Sequence, residues 1–230
     1  LLRGGWSLDR STPGILLSSG RNWQQQRRFS LSTLRDFGFG KKGMEEFIEE
    51  DLLSFLEYLS TEYNGGKLPV TMQNQFNLVV LNSLWRILSN ESLDYGSERL
   101  QRLITMVNSL ISGNGGILFF IAMDRRSFFR LLNSLGIINN RDTITSVINF
   151  TKEIVEKHER VFDEDNTMDF IDVYLKQMKE NADSEGSSFN AEHGRLNLIN
   201  VLLDMFLAGT ETTSTTLTWA LLFMIKHPEI

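Results

Sequence analysis

The stretch from residue 196 to residue 226 limits the possible folds more than any other part of the chain. Its two flanks are apolar on nearly every face, a pattern typical of an α-helix buried within a larger protein. Its centre instead carries a glycine, a carboxylate and hydroxyl groups, in the order Ala208-Gly209-Thr210-Glu211-Thr212-Thr213. A glycine inside a helix costs about 1 kcal/mol relative to alanine, and an unpaired buried carboxylate costs more. The pattern indicates either a ligand and proton-exchange site on one helix, or a junction of two helices at Gly209 with a following hydroxyl residue as the cap.

Composition and charge exclude several classes of function. The 230 residues are 41% hydrophobic, which is enough for a folded core. The net charge of −6 argues against a nucleic-acid-binding surface. The absence of cysteine excludes disulfides and thiolate ligands within these residues. No run approaches the roughly 18 apolar residues of a membrane span. Because the chain starts at Leu1 and stops just after Pro228-Glu229, we expect a piece of a longer protein.

The hydrophobic pattern predicts a mainly α-helical fold, since alternation with period two is nearly absent. Residues up to about 20 form a loop in this interpretation, and a polar loop covers 181–194. The stretch 117–135 joins an apolar run to several arginines. On the predicted helix at 71–89, the residues expected to face inward are Phe76, Val79, Val80, Leu84 and Ile87. The other predicted helices cover residues 22–36, 44–63, 97–111, 141–161, 168–180 and 196–226.

A second informative pattern is the pair Trp23 and Arg27. Residues four apart share one face of a helix, so the indole N–H and the guanidinium form a donor pair suited to a carboxylate or a phosphate. The alternative is a tryptophan packed in the core beside a solvated arginine.

The three histidines, His158, His193 and His227, lack the spacing of metal ligands. We therefore expect surface or boundary positions for them and no metal site built from protein side chains. Neither a phosphate-binding loop nor a nucleophile elbow is present.

Taken together, the two informative patterns resemble a known family. The segments Gly20-Arg21-Asn22-Trp23-Gln24-Gln25-Gln26-Arg27-Arg28-Phe29 and Leu34-Arg35-Asp36-Phe37-Gly38-Phe39-Gly40-Lys41 resemble the third-helix region of microsomal cytochrome P-450 monooxygenases. The motif at 208–213 is similar to that family's long central helix, and His227-Pro228-Glu229 follows where its next helix begins. The resemblance implies a partial cytochrome P-450-like helical fold, from the third-helix region through the central helix, as a single partial domain over 1–230.

The resemblance also implies a role for each matching residue. Trp23 and Arg27 would bind a haem propionate, and Ala208 and Gly209 would lie over the face of the haem. Glu211 and Thr212 would form an acid–alcohol pair that delivers protons to the dioxygen being activated. Residues bordering the substrate would include Phe206, Leu207, Phe119, Phe120 and Phe128.

For the complete protein, the resemblance implies a haem-thiolate monooxygenase that inserts one oxygen atom from O2 into a hydrophobic small molecule. Its partners would be an electron-donating reductase and, for membrane association, the cytosolic face of the endoplasmic reticulum. This chain departs from the family pattern because it holds neither the cysteine that ligates the haem iron nor an amino-terminal anchor. We therefore expect this piece alone to be inactive. The alternatives are an all-α interaction or scaffold module, with a helix junction at Gly209, or a truncated product without activity.

Overall fold

Seven α-helices and no strand make up the part of the chain that the structure describes, residues 13–72, 74–112, 141–191 and 193–229 of a computed structural model. The mainly α-helical class predicted from the pattern is therefore confirmed. In chain order the helices are α1 (Gly20–Asp36), α2 (Lys42–Glu62), α3 (Gln75–Ser89), α4 (Glu98–Ser112), α5 (Arg141–Val161), α6 (Phe170–Glu180) and α7 (Gly194–Lys226).

The helix bounds follow the predicted ones closely, and the differences have local causes. Helix α3 begins later than predicted because Asn74 adopts a left-handed conformation with φ of 64°. Helix α6 begins at Phe170 because Asp169 is its N-cap and accepts a hydrogen bond of 2.9 Å from the backbone N–H of Asp172. The predicted segment 117–135, with Phe119, Phe120 and Phe128, lies outside the described residues.

The core lies between α3 and α7 and is centred on Trp85. This side chain is fully buried, stacks on Phe206 of α7 at 5.8 Å between ring centroids, and contacts Phe150 of α5 at 5.5 Å. Aromatic pairs at these distances add to the stabilisation that comes from burial. Trp85 therefore joins three helices that are far apart in the chain.

The predicted inward face of α3 is confirmed in part, since Val79 is in the core and Phe76, Val80 and Leu84 pack against it. Only Val79 of the five predicted residues is fully buried, and the other four are half-buried. Because α3 packs against α2, α4, α6 and α7, most of its surface is covered and amphipathic spacing does not select one inner face. The apolar side chains of α3 that are fully buried, besides Val79, are Leu78, Leu81, Trp85 and Leu88.

Helix α7 is buried along its first half only. From Leu198 to Phe206 it contributes much of the core, whereas most side chains after Ser214 are exposed. Within these residues, burial of the predicted helix is therefore confirmed for its first half only. None of the described helices combines the length and apolar character that crossing a membrane requires. The exposed large apolar residues of this second half are Leu217, Trp219, Leu222, Phe223, Met224 and Ile225.

A buried histidine joins α5 to the start of α6. The Nε2 atom of His158 lies 2.9 Å from Oδ2 of Asp169, and its Nδ1 lies 3.0 Å from the carbonyl oxygen of Ile154. His158 is 7% exposed, so the predicted surface or boundary position is wrong for this residue. The side chains of His158, Asp169 and Asp172 lie within metal-ligand distance of one another. Since both ring nitrogens of His158 are already engaged by protein oxygens, the cluster is a structural clamp.

The clamp makes stability depend on pH. Burial by itself lowers the pKa of His158, but the hydrogen bonds to Asp169 and Ile154 and the charges of Asp169 and Asp172 outweigh it and raise the pKa to about 9. The unfolded chain releases this proton above the ordinary pKa of 6.5. We expect a stabilisation of about 3 kcal/mol that is complete below pH 6.5 and lost as the pH rises through about 9.

Urea unfolding at a series of pH values from about 6 to about 10 measures this loss. His158→Gln should flatten the profile across the window, whereas His193→Gln, at an exposed histidine, should leave the wild-type profile unchanged. A His158→Gln profile parallel to that of the wild type would contradict the expectation.

Candidate functional site

The site motif lies on one continuous helix. Helix α7 runs unbroken from Gly194 to Lys226, so the predicted alternative of a helix junction at Gly209 is wrong. The hydroxyl groups that follow Gly209 act within the helix instead of capping a new one. Thr212 donates to the carbonyl oxygen of Ala208 at 2.6 Å, and Ser214 donates to that of Thr210 at 2.7 Å.

The motif presents two different faces. Ala208 and Thr212 are exposed on the same face and are joined by the hydrogen bond between them. Gly209 faces α3, where a Cβ atom added to it would lie 2.7 Å from Cδ1 of Leu84. Residue 209 is therefore small because it packs against α3. It does not lie on the exposed face that Ala208 and Thr212 share.

The carboxylate of Glu211 lies at the boundary between these faces. Its Oε1 accepts a hydrogen bond from Oγ1 of Thr215 at 3.2 Å, and its Oε2 accepts one from Nδ2 of Asn77 in α3 at 3.5 Å. Thr212 is bonded to the helix backbone, so the predicted acid–alcohol pair is not joined directly. A proton passing from Glu211 to Thr212 needs a bridging water or a change of rotamer.

Trp23 and Arg27 share one exposed face of α1. The guanidinium carbon of Arg27 lies 5.5 Å from the centroid of the Trp23 ring, a cation–π contact that confirms the predicted common face. Trp23 is 37% exposed, so the alternative of a core tryptophan is wrong in this chain. Among the described residues, neither the indole N–H nor the guanidinium is hydrogen-bonded to another side chain, and both donors are available to a ligand.

The buried face of α1, which adjoins the exposed face of Trp23 and Arg27, is anchored through Gln26. This fully buried side chain donates to Oγ of Ser188 and accepts from the hydroxyl of Tyr174, both at 2.8 Å. Burial raises the pKa of the Tyr174 phenol, which remains the donor. Phe29, Tyr174 and Phe189 pack edge to face or tilted at 5.0–5.2 Å beside these bonds. The sequence did not single out Gln26, because its glutamine neighbours Gln24 and Gln25 carry the same side chain and nothing local marks which one is buried.

Asp204 ties the segment before α1 to α7. Its Oδ2 accepts hydrogen bonds from the backbone N–H groups of Ile15 at 2.6 Å and Leu16 at 2.9 Å. Burial raises the pKa of Asp204, and the two donors oppose part of that shift. The segment can approach this closely because residue 14 is glycine, whose added Cβ would lie 2.6 Å from Asp204. Sequence reasoning missed Asp204, a lone acidic residue within an apolar run.

Two residues predicted to border the substrate have different positions. Phe206 is 4% exposed and stacks on Trp85, so it belongs to the core, and the predicted substrate contact is wrong for this chain. Leu207 is half-buried next to the exposed Ala208.

Comparison with known proteins identifies the family of this chain. The family model for cytochrome P450 matches residues 7–230. Because that match covers nearly all of the sequence, the chain belongs to the cytochrome P450 family, as the motifs predicted.

Similar proteins include cytochrome P450 2J3 of Rattus norvegicus, 36% identical over 221 residues, and cytochrome P450 2J2 of Homo sapiens, 34% identical over 228 residues. Cytochrome P450 2H1 of Gallus gallus is 37% identical over 227 residues. Each alignment covers 94% of this chain but 42% of the relative. The chain therefore spans about two fifths of the length of these relatives.

The packing around Gly209 leads to a prediction about stability. Gly209→Ala should change the free energy of unfolding by less than about 1 kcal/mol, because the gain in helix propensity is offset by displacement of Leu84. Only the mobile end of this half-buried leucine has to move. Urea unfolding of the variant measures the change.

Gly194 of the same helix is the matched control. A Cβ atom at residue 194 would lie 2.7 Å from the backbone oxygen of Phe189. Unlike the end of a side chain, this backbone atom cannot move by a change of rotamer. Gly194→Ala should therefore lose about 1–3 kcal/mol. Equal losses at the two glycines would contradict this account of Gly209.

Proposed function

We propose that this chain forms one side of the haem pocket of a haem-thiolate monooxygenase. The full-length protein would insert one oxygen atom from O2 into a hydrophobic small molecule, with electrons from a reductase. The observation that carries the proposal is the unbroken α7, which presents Ala208 and Thr212 together on one exposed face. Family membership and the free donor pair on α1 support it.

The residues present fit a haem. A propionate is a carboxylate, and Trp23 and Arg27 offer it two adjacent donors on one exposed helix face. Ala208 is small enough to admit a flat ring against the helix. The proposal requires the iron thiolate to come from outside these 230 residues, which contain no cysteine. It also accounts for the exposed apolar second half of α7, which the haem and other parts of the pocket would cover.

When bound, haem supplies the iron that activates dioxygen. The overall reaction takes one O2, two electrons and two protons, and it yields the hydroxylated substrate and water. In our proposal the side chains of α7 govern the protons. Thr212 is at the exposed face and presents its hydroxyl oxygen there, while Glu211 is one residue earlier and can exchange protons with solvent. Gly209 would contribute indirectly, because its lack of a side chain lets α3 and α7 approach closely at Leu84.

Cellular location follows from the same proposal. A family-2-like enzyme would work at the cytosolic face of the endoplasmic reticulum membrane, where its reductase and its hydrophobic substrates are found. Separating the membrane fraction of cells that express the full-length protein would test this location.

The donor pair provides the test of haem binding. In the full-length protein, Arg27→Gln should speed haem loss about tenfold, because a charge-assisted hydrogen bond to a propionate is replaced by a weaker neutral one. Transfer of haem to an acceptor globin, followed by absorbance, measures the rate. Arg28→Gln is the control, since Arg28 is exposed next to Arg27 but is not part of the pair. Equal rates for the two variants would count against the role of Arg27.

The proton pathway provides the test of catalysis. Thr212→Ala in the full-length protein should retain haem but lower the product formed per electron donor consumed by about tenfold or more, with hydrogen peroxide rising in its place. Thr216→Ala is the control, because Thr216 makes the same type of bond to the helix backbone one turn further along. Unchanged coupling in Thr212→Ala would remove Thr212 from the proposed pathway.

A further inference from the structure

Asn77 is a buried polar residue in the first turn of α3. It lies on α3 beside Leu78 and Val79 and is 5% exposed. A buried amide that finds no partner costs several kcal/mol in an apolar environment. A residue of this kind therefore requires partners on the neighbouring helices.

The partners of Asn77 lie on two other helices. Its Nδ2 donates to Oδ1 of Asn108 in α4 at 2.9 Å and to Oε2 of Glu211 in α7 at 3.5 Å. One amide group has two N–H bonds, which is the number these two acceptors need. The contact to Glu211 is long, so it restrains the carboxylate but releases it at small cost.

The arrangement also determines which end of the Asn77 amide faces Glu211. An ionised carboxylate has only acceptor atoms, so the NH2 end must point toward it. The side-chain oxygen Oδ1 of Asn108 reinforces that orientation, because it accepts the second N–H of the Asn77 amide. The two oxygens of Glu211 are then held separately, one by Asn77 and the other by Thr215.

We propose that Asn77 is a positioning residue for Glu211, which it holds at the edge of the exposed face of α7 while Thr212 is bonded to the helix backbone. This inference rests on the proposed function, in which Glu211 delivers protons. Restraint by Asn77 limits the rotamers of Glu211, and so limits when protons reach the face that Thr212 shares with Ala208. Without Asn77 the carboxylate turns toward solvent and proton delivery is no longer matched to substrate oxidation.

Two variants of Asn77 test the inference in the full-length, haem-loaded protein. Asn77→Leu removes the amide while keeping the branching at Cγ, and Asn77→Asp places a second carboxylate against Glu211. Hydrogen peroxide formed per electron donor consumed should rise severalfold in Asn77→Leu and further in Asn77→Asp, because repulsion drives Glu211 away. The KM for substrate should stay within about twofold, since Asn77 is buried away from the exposed face.

Asn82→Leu is the matched control. Asn82 is on the same helix, is equally buried, and bonds instead to the backbone N–H and carbonyl of Leu93 at 2.8 and 2.9 Å. Its loss should lower the melting temperature and leave the peroxide fraction unchanged. A peroxide fraction that rises equally in the Asn82 and Asn77 variants would overturn the proposal, since any loosening of α3 would then suffice.

A double-mutant cycle measures the contact between Asn77 and Glu211 from protein unfolding, independently of catalysis. Asn77→Leu and Glu211→Gln, alone and together, should be coupled by about fivefold in the unfolding equilibrium constant, because a hydrogen bond to a charged group is stronger than one to a neutral group. Additive effects would overturn the proposed contact. If Asn77→Leu fails to fold, Asn108→Leu replaces it, with a smaller peroxide rise expected in the same direction and no rise overturning the proposal.

Failure of the proposed function and failure of the Asn77 role give different experimental results. A wild-type protein that binds haem and oxidises no substrate refutes the proposed function, whatever the Asn77 variants do. A competent wild type whose peroxide fraction is the same in Asn77→Leu and Asn77→Asp refutes the role of Asn77 alone.

Discussion

The close packing of α3 on α7 is the contact on which the rest of the structure depends. Trp85 stacks on Phe206 with both side chains buried, and Leu84 reaches the helix surface that Gly209 leaves open. Burial of large aromatic side chains is the strongest stabilising term available to such a pair of helices. Because α7 is held by its first half, its motif can leave Ala208 and Thr212 exposed without the helix coming loose.

Polar contacts then position α1, and the segment that precedes it, relative to the rest of the chain. Asp204 holds the backbone of Ile15 and Leu16, and Gln26 joins α1 to Tyr174 and Ser188. Hydrogen bonds are directional, so these contacts determine where the helices lie in a way that apolar packing alone does not. The donors Trp23 and Arg27 make no such contact themselves. Their helix is held in place by buried residues on its adjoining face, such as Gln26.

Much of the fold could be predicted from the sequence, because helices are local. The spacing of apolar residues and the positions of glycine, proline and capping residues predicted all seven described helices to within a few residues. The site motif was equally readable, since the Trp23–Arg27 spacing and the polar centre of α7 are properties of single helices. The partners of polar residues in the interior were not predictable: the buried Asn77 and His158 and the half-buried Asp204 each meet groups distant in the chain or on another helix.

The sequence by itself determined that the chain is helical, that it belongs to the cytochrome P450 family, and which residues carry its two motifs. The tertiary structure alone decided which faces those residues present. In the folded chain Gly209 faces Leu84, and the carboxylate of Glu211 accepts hydrogen bonds from Asn77 and Thr215. His158 is buried against Asp169. The physical reason is that helical periodicity specifies relative angles within one helix, whereas the burial and pairing of a side chain depend on what the neighbouring helices bring against it.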